Sequence, residues 1–157
     1  MLKTRLIGDL TLKTAIWCLI IGKLAVSPCY AVDNDHIAIL TIMGESANQS
    51  LEGQTAVGEV IRNRMKARGQ TAERVCLAPK QFSFWNDRPA AWTWVAKNGT
   101  GEAYQRASRA WETSEGSNSV LGANLYHAVS VRPSWAKSPK VEFVKQIGAH
   151  RFYKETR

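Results

Sequence analysis

One run of seven residues constrains this chain more than any other feature. Ile37-Ala-Ile-Leu-Thr-Ile-Met43 is apolar nearly all round at helical spacing, broken only by Thr41. A segment of this kind finds no stable place on a surface. It predicts a short helix buried on every side, with the rest of the chain folded around it. Asp33-Asn34-Asp35 supplies N-cap candidates and early negative charge, which sets the helix at about His36 to Gly44. Glu45 then sits at its C-terminal end.

Around that helix the chain reads as one helix-rich α+β unit. A second helix is expected from about Gly53 to Arg68. Ala56, Val57, Val60, Ile61 and Met65 recur at helical spacing, Glu59, Arg62, Asn63 and Lys66 lie opposite, and Gly69 is a natural stop. Thr71 to Gly99 reads as irregular and aromatic, with Phe82, Phe84, Trp85, Trp92 and Trp94. A third helix, about Glu102 to Glu112, carries Ala103, Tyr104, Ala107 and Trp111 on one stripe. The tail has short strand-like runs at Leu125–His127, Val141–Val144 and Arg151–Tyr153, which predict a small hairpin or sheet.

The N-terminus differs in character from the rest of the chain. Lys3, Arg5 and Lys13 precede a short apolar run, Ala15 to Ile21, and Cys29-Tyr30-Ala31 loosely fits a small-x-small cleavage site. Residues 1–31 are therefore expected to be a signal peptide or N-terminal anchor, and 32–157 the functional domain. That places the protein outside the cytoplasm, in the periplasm or the cell wall, with peripheral membrane contact through the leader as an option. No stretch approaches the roughly 20 apolar residues of a membrane-spanning helix. Of 21 basic and 13 acidic residues in the whole chain, the leader holds four and one, so net charge falls from +8 to +5 without it. A basic domain favours an anionic partner. Arg62, Arg64, Lys66 and Arg68 are too short a patch to argue for nucleic acid, and none is expected. The domain keeps one cysteine, Cys76, flanked by Val75 and Leu77 and expected to be a buried structural thiol.

Among residues that could carry chemistry, Glu45 comes first. A carboxyl group at the exit of a buried helix is held rigidly and partly desolvated. Desolvation and the helix C-terminus both favour its protonated form, as a general acid requires. Spacing alone favours the plainer reading, a surface glutamate that ends a helix, because one glutamate after an apolar run is a weak signal. Glu52, Glu59 and Asp87 are candidates for a second carboxylate, with solvent exposure or structural ion pairing the plainer expectation for each. His36, His127 and His150 have no helical metal spacing, so neither a metal nor another cofactor is expected.

Four motifs, in order, carry a resemblance to a known family. Ile42-Met-Gly-Glu-Ser-Ala-Asn-Gln-Ser-Leu-Glu-Gly-Gln, continuing to Val60-Ile-Arg-Asn-Arg64, resembles the signature of the SleB/CwlJ cell-wall hydrolases. Glu45 falls on that signature's first glutamate, Gly53-Gln54 on its Gly-Gln and Asn63-Arg64 on its Asn-Arg. Gln81-Phe-Ser83 comes next, then Gly122-Ala-Asn-Leu-Tyr-His127 with Pro133-Ser-Trp135, and last Ile147-Gly-Ala-His-Arg-Phe-Tyr153. The resemblance covers about residues 36 to 153. It departs where Ala47 stands for an arginine, Asn48 for a glycine, Gln49 for a second glutamate and Ser50 for a proline.

The resemblance implies a small lysozyme-like α+β domain that cleaves peptidoglycan between N-acetylmuramic acid and N-acetylglucosamine. In the family's spore enzymes the reaction is that of a lytic transglycosylase. It implies Glu45 as catalytic acid/base. Gln81, Ser83, Tyr126, His127, Trp135 and His150 are then candidates to line the cleft and bind substrate, the aromatic rings also having a core role open to them. A muramidase using a second carboxylate, and a wall-binding module without catalysis, remain as alternatives. A protein regulator is left open.

Overall fold

The computed structural model describes residues 34–156. The expected leader, residues 1–31, and the cap candidate Asp33 lie outside them. Among the described residues no helix is long and apolar enough to cross a membrane.

Helix α1 spans Asn34–Ser46, one turn further than its apolar run. Ile37 to Met43 are all buried. The helix accommodates its two buried hydroxyls internally, Thr41 Oγ1 donating to the Ile37 carbonyl at 2.7 Å and Ser46 Oγ to the Ile42 carbonyl at 2.6 Å. Helix α2, Leu51–Arg68, begins two residues earlier than the apolar pattern suggests, because the Ser50 hydroxyl caps it by accepting from Gly53 N–H. Gly69 closes it in the left-handed conformation (φ 60°), its N–H bonded to the Met65 carbonyl. Helix α3 (Ala72–Cys76) follows from a Thr71 cap.

The stretch read as irregular is more ordered than expected. It holds α3, a 3-10 turn at Ser83–Trp85, and helix α4 at Arg88–Asn98. The Asp87 carboxylate accepts from Ala90 N–H, and Pro89 occupies the first turn, where no backbone donor is needed. Its aromatic residues mask the helical period, since the one residue that α4 buries is Ala91. Helix α5 (Glu102–Thr113) matches its predicted span and packs Ala107, Ala110 and Trp111 inward.

Strands β1 (Leu125–Ala128), β2 (Val141–Ile147) and β3 (His150–Glu155) form an antiparallel sheet in the order β1-β3-β2. Tyr126 pairs with Phe152 and Ala128 with His150. The helix-rich α+β class is as expected: five α-helices and one three-stranded sheet among the described residues. The main core gathers α1 with parts of α2, α3 and α5, closed by Phe82 and Trp85. A smaller core, around Phe152, Val60 and Val120, joins α2 to the sheet.

Three expectations about α2 are corrected. Glu59 does not face solvent; it is 2% exposed. Its carboxylate accepts from Ser117 Oγ, Ser119 N–H and Oγ, and Val120 N–H, so it organises the loop that leads into the sheet. Asn63 is not a surface group either, its amide donating to the Ala123 carbonyl at 2.8 Å. The supposed basic patch is half structural. Arg62 lies 3.8 Å over the Trp111 ring and bonds Ser114, while Arg64 is buried against Phe82.

Candidate active site

Glu45 lies in the last turn of α1, half-buried. Three donors from two distant segments converge on its carboxylate. Oε1 accepts from Phe84 N–H at 2.6 Å and from Ser83 Oγ at 3.0 Å. Oε2 accepts from the Tyr126 hydroxyl at 2.8 Å. The 3-10 turn reaches Glu45 because residue 44 is glycine: a Cβ there would overlap the Phe84 ring. Tyr126 reaches it from β1, its ring stacked on Phe152 at 5.8 Å. Burial, reinforced by the neighbouring Glu45 charge, pushes the Tyr126 phenol well above its ordinary range, so it stays a neutral donor.

The motif residues of α2 hold these parts in register. Asn63 ties α2 to the segment before β1. Arg64 donates to the Asn124 carbonyl at 2.7 Å and to the Gln81 carbonyl at 3.1 Å, so one guanidinium pins both strands of chain that deliver donors to Glu45. Gln54 donates to the Gln49 carbonyl, shaping the turn just after Glu45. Gln49, where the resembled signature has its second glutamate, accepts from Ala149 N–H at 3.0 Å. Its amide oxygen thus fastens that turn to the β2–β3 hairpin.

Glu45 opens on a cavity of about 320 Å³, lined also by Gln81, Ser83, Tyr126, His127, Ala128, Val131 and His150. Five of the six residues expected in the cleft are therefore brought together. Trp135 is not among them. It lies behind His127, edge-on to it at 5.6 Å and to Tyr153 at 5.4 Å, and lines a separate groove with Leu125 and Lys140. His36 is also elsewhere, bonded to Tyr104 at 2.8 Å.

Val131 and the Phe84 amide escaped the sequence reading. The first sits in a loop with no motif, and the second is a backbone group that residue identity does not reveal. Among the described residues Glu45 is the only carboxylate lining this cavity. Glu59 is buried in its own hydrogen bonds, Glu52 lies exposed 3.9 Å from Lys145, and Asp87 caps α4. A larger hollow of about 850 Å³ lies near α4, but its Asp87 and Arg88 are bound to backbone groups. Cys76 is fully buried, its thiol pushed up to about 12 by burial, with Thr41 and Arg64 opposing.

A domain of this architecture, with one anchored carboxylate in a polar cavity, has known relatives. The family model described as cell wall hydrolase matches residues 48–153, and the chain belongs to that family. The matched span starts three residues after Glu45. No curated protein matches the sequence. Two solved structures share the fold. One is the catalytic domain of the Bacillus cereus SleB protein, 23% identical, with a TM-score of 0.61 over 85% of this chain and 98% of that one. The other is the catalytic domain of the germination-specific lytic transglycosylase SleB from Bacillus anthracis, also 23% identical, with a TM-score of 0.62 over 82% and 100%.

Proposed function

We propose that this protein cleaves the glycan strand of peptidoglycan as a lytic transglycosylase, with Glu45 as its acid and base. Membership of the cell wall hydrolase family supports a peptidoglycan-acting enzyme. The observation that carries the finer reading is the composition of the cavity: one carboxylate, anchored by three donors, and among the described residues no second one beside it. A retaining glycosidase needs a partner about 5–5.5 Å away and an inverting one needs it about 6.5–9.5 Å away. A transglycosylase needs neither.

Protonated Glu45 gives its proton to the glycosidic oxygen, and the bond from that oxygen to the muramic acid C1 breaks. The resulting carboxylate takes the proton of the same sugar's C6 hydroxyl. O6 then bonds to C1, closing a 1,6-anhydro ring and returning Glu45 to its acid form. Oε2 is the better-placed oxygen for this traffic. Among the described residues its one partner is a hydroxyl that can rotate from donor to acceptor, whereas Oε1 is held by a fixed backbone N–H. Gln81 and His150 line the same cavity and are assigned to substrate. Ser83 and Tyr126 hold the acid, His127 forms wall, and Trp135 belongs to an outer groove.

Such a substrate lies outside the cytoplasm, and the reading includes export directed by residues 1–31. The test is mass spectrometry of fragments released from purified peptidoglycan by residues 32–157 and by the Glu45→Gln variant. Glu45-dependent 1,6-anhydro ends are expected. Reducing muramic ends would replace the transglycosylase with a hydrolase, and intact glycan with free stem peptides would replace it with an amidase.

A further inference from the structure

Two histidines line the cavity, and the protein uses them differently. His127 is fully engaged. Nδ1 lies 2.8 Å from the Ala128 carbonyl, which can only accept, so the proton is there. Nε2 is left to accept from the Tyr153 hydroxyl at 3.0 Å. His150 is the reverse. It is only 6% exposed, yet among the described residues neither ring nitrogen has a hydrogen-bond partner, and Nδ1 is sealed from solvent. Its position is rigid. His150 pairs with Ala128 across the sheet, and its neighbour Ala149 is held by Gln49. Its ring stands edge-on to Tyr126 at 5.2 Å, the same tyrosine that holds Glu45.

A sealed, unpartnered N–H is rarer and costlier than a sealed lone pair. The proton of neutral His150 therefore sits on Nε2, the nitrogen that is not sealed. A second proton would have to occupy the sealed Nδ1, so the ring stays neutral. Burial lowers its pKa accordingly, with the Glu45 charge pulling the other way and His127 adding to the lowering. The cavity thus offers the neutral His150 N–H and the Gln81 amide beside the Glu45 carboxyl group, and among the described residues no Lys or Arg lines it. A lining without a cation disfavours an anionic ligand group, such as a lactyl or peptide carboxylate, and suits a neutral, strongly accepting oxygen. On the sugars of peptidoglycan the strongest such acceptor is the acetamido carbonyl.

We infer that His150 donates its Nε2–H to the acetamido carbonyl of the bound sugar, so that the cavity selects N-acetylated over N-deacetylated glycan. The inference rests on the glycan-cleaving reading above. It assigns His150 the selection of substrate and leaves the proton transfers to Glu45.

The test compares wild type, His150→Phe and His150→Gln on three substrates: purified peptidoglycan, the same wall chemically N-deacetylated, and the deacetylated wall re-acetylated. Wild type is expected to prefer the first and third by about tenfold or more in kcat/KM. His150→Phe should lose roughly 5- to 50-fold on acetylated wall and little on deacetylated wall, collapsing the preference. His150→Gln, which keeps an N–H near the same place, should retain part of it. An active His150→Phe variant with the wild-type preference, or with equal losses on all substrates, overturns the inference alone. A wild type that releases no glycan fragments from any substrate overturns the glycan-cleaving reading and this inference with it. Should the Phe variant fail to fold, nitrogen NMR of the wild-type imidazoles decides. His150 in the Nε2–H form between pH 6 and 8 agrees, and the Nδ1–H form or an imidazolium overturns it.

Discussion

The Tyr126 hydroxyl donates to Glu45 Oε2 at 2.8 Å, joining residues 81 positions apart in the chain. With Phe84 N–H and Ser83 Oγ on the other oxygen, it leaves the carboxylate little freedom to rotate. A fixed acid is worth more to a reaction than a mobile one, because its orientation need not be found in each turnover. Tyr126→Phe should therefore keep the fold and lower kcat by roughly 5- to 50-fold. Fragment release under saturating wall, beside a thermal melt, checks this; unchanged kcat would mean that the hydroxyl does not orient the acid.

Glu45→Gln should reduce glycan cleavage by at least about 10²-fold, since a positioned general acid contributes roughly 10²–10⁴-fold. Circular dichroism should be unchanged. The amide oxygen of the substituted side chain can still accept from Phe84 N–H, so the turn is expected to stay in place. Substantial retained activity in a normally folded variant would remove Glu45 from the mechanism.

Glu59→Gln tests the other buried carboxylate, with the opposite outcome. Four donors face its two oxygens. An amide NH2 would confront at least one of them, costing about 2–4 kcal/mol of stability. The variant should melt at lower temperature but keep most of its specific activity below that temperature. A loss of activity as complete as at Glu45, without loss of stability, would argue for a two-carboxylate enzyme.

Gly44→Ala adds one methyl group where the Phe84 ring already sits. The ring must move, and the turn carrying Ser83 and Phe84 N–H moves with it. Destabilisation of about 1–3 kcal/mol is expected, with activity falling more than tenfold in the folded fraction. A variant as active as wild type would mean the turn can yield without disturbing Glu45.

Cys76 predicts an alkaline limit. Its thiol titrates at about 12 in the folded protein against an ordinary value of 9.0, because burial excludes the thiolate. The folded pKa lies above the unfolded one, so the contribution to stability is complete below about pH 9. It is lost as pH rises from there toward the folded value, at up to about 1.4 kcal/mol per pH unit. Melting temperature should decline above pH 9, less steeply in Cys76→Ala. The native thiol should also resist a disulfide reagent at pH 8 that reacts at once in denaturant; fast native labelling would contradict its burial.

Much of this was legible in the chain itself. The apolar run at Ile37–Met43 dictates a helix with no exposed face, and the spacing of Ala103, Ala107 and Trp111 dictates α5, because a helix can bury a stripe only where its period puts one. Strand-like runs at 125–127, 141–144 and 151–153 became the sheet. The motif residues Glu45, Gln81, Ser83, Tyr126, His127 and His150 did prove to share a cavity. Helix α4 was hidden because its aromatic residues obscure the period, although the Asp87 cap and Pro89 were there to be read.

What the tertiary structure decided is the meaning of each polar residue. Glu59 and Glu45 look alike in sequence, each a carboxylate beside an apolar run. Glu59 is enclosed by four donors from the distant Ser117–Val120 loop, and Glu45 faces an open cavity. His127 has Tyr153 and a backbone carbonyl within reach of its ring nitrogens, whereas the more deeply buried His150, among the described residues, has neither. Trp135, two residues past Pro133, turns away behind His127. Hydrophobic periodicity is local and survives in the order of residues. The partner of a buried polar atom is set by contacts between segments far apart in the chain, and no single stretch of sequence encodes it.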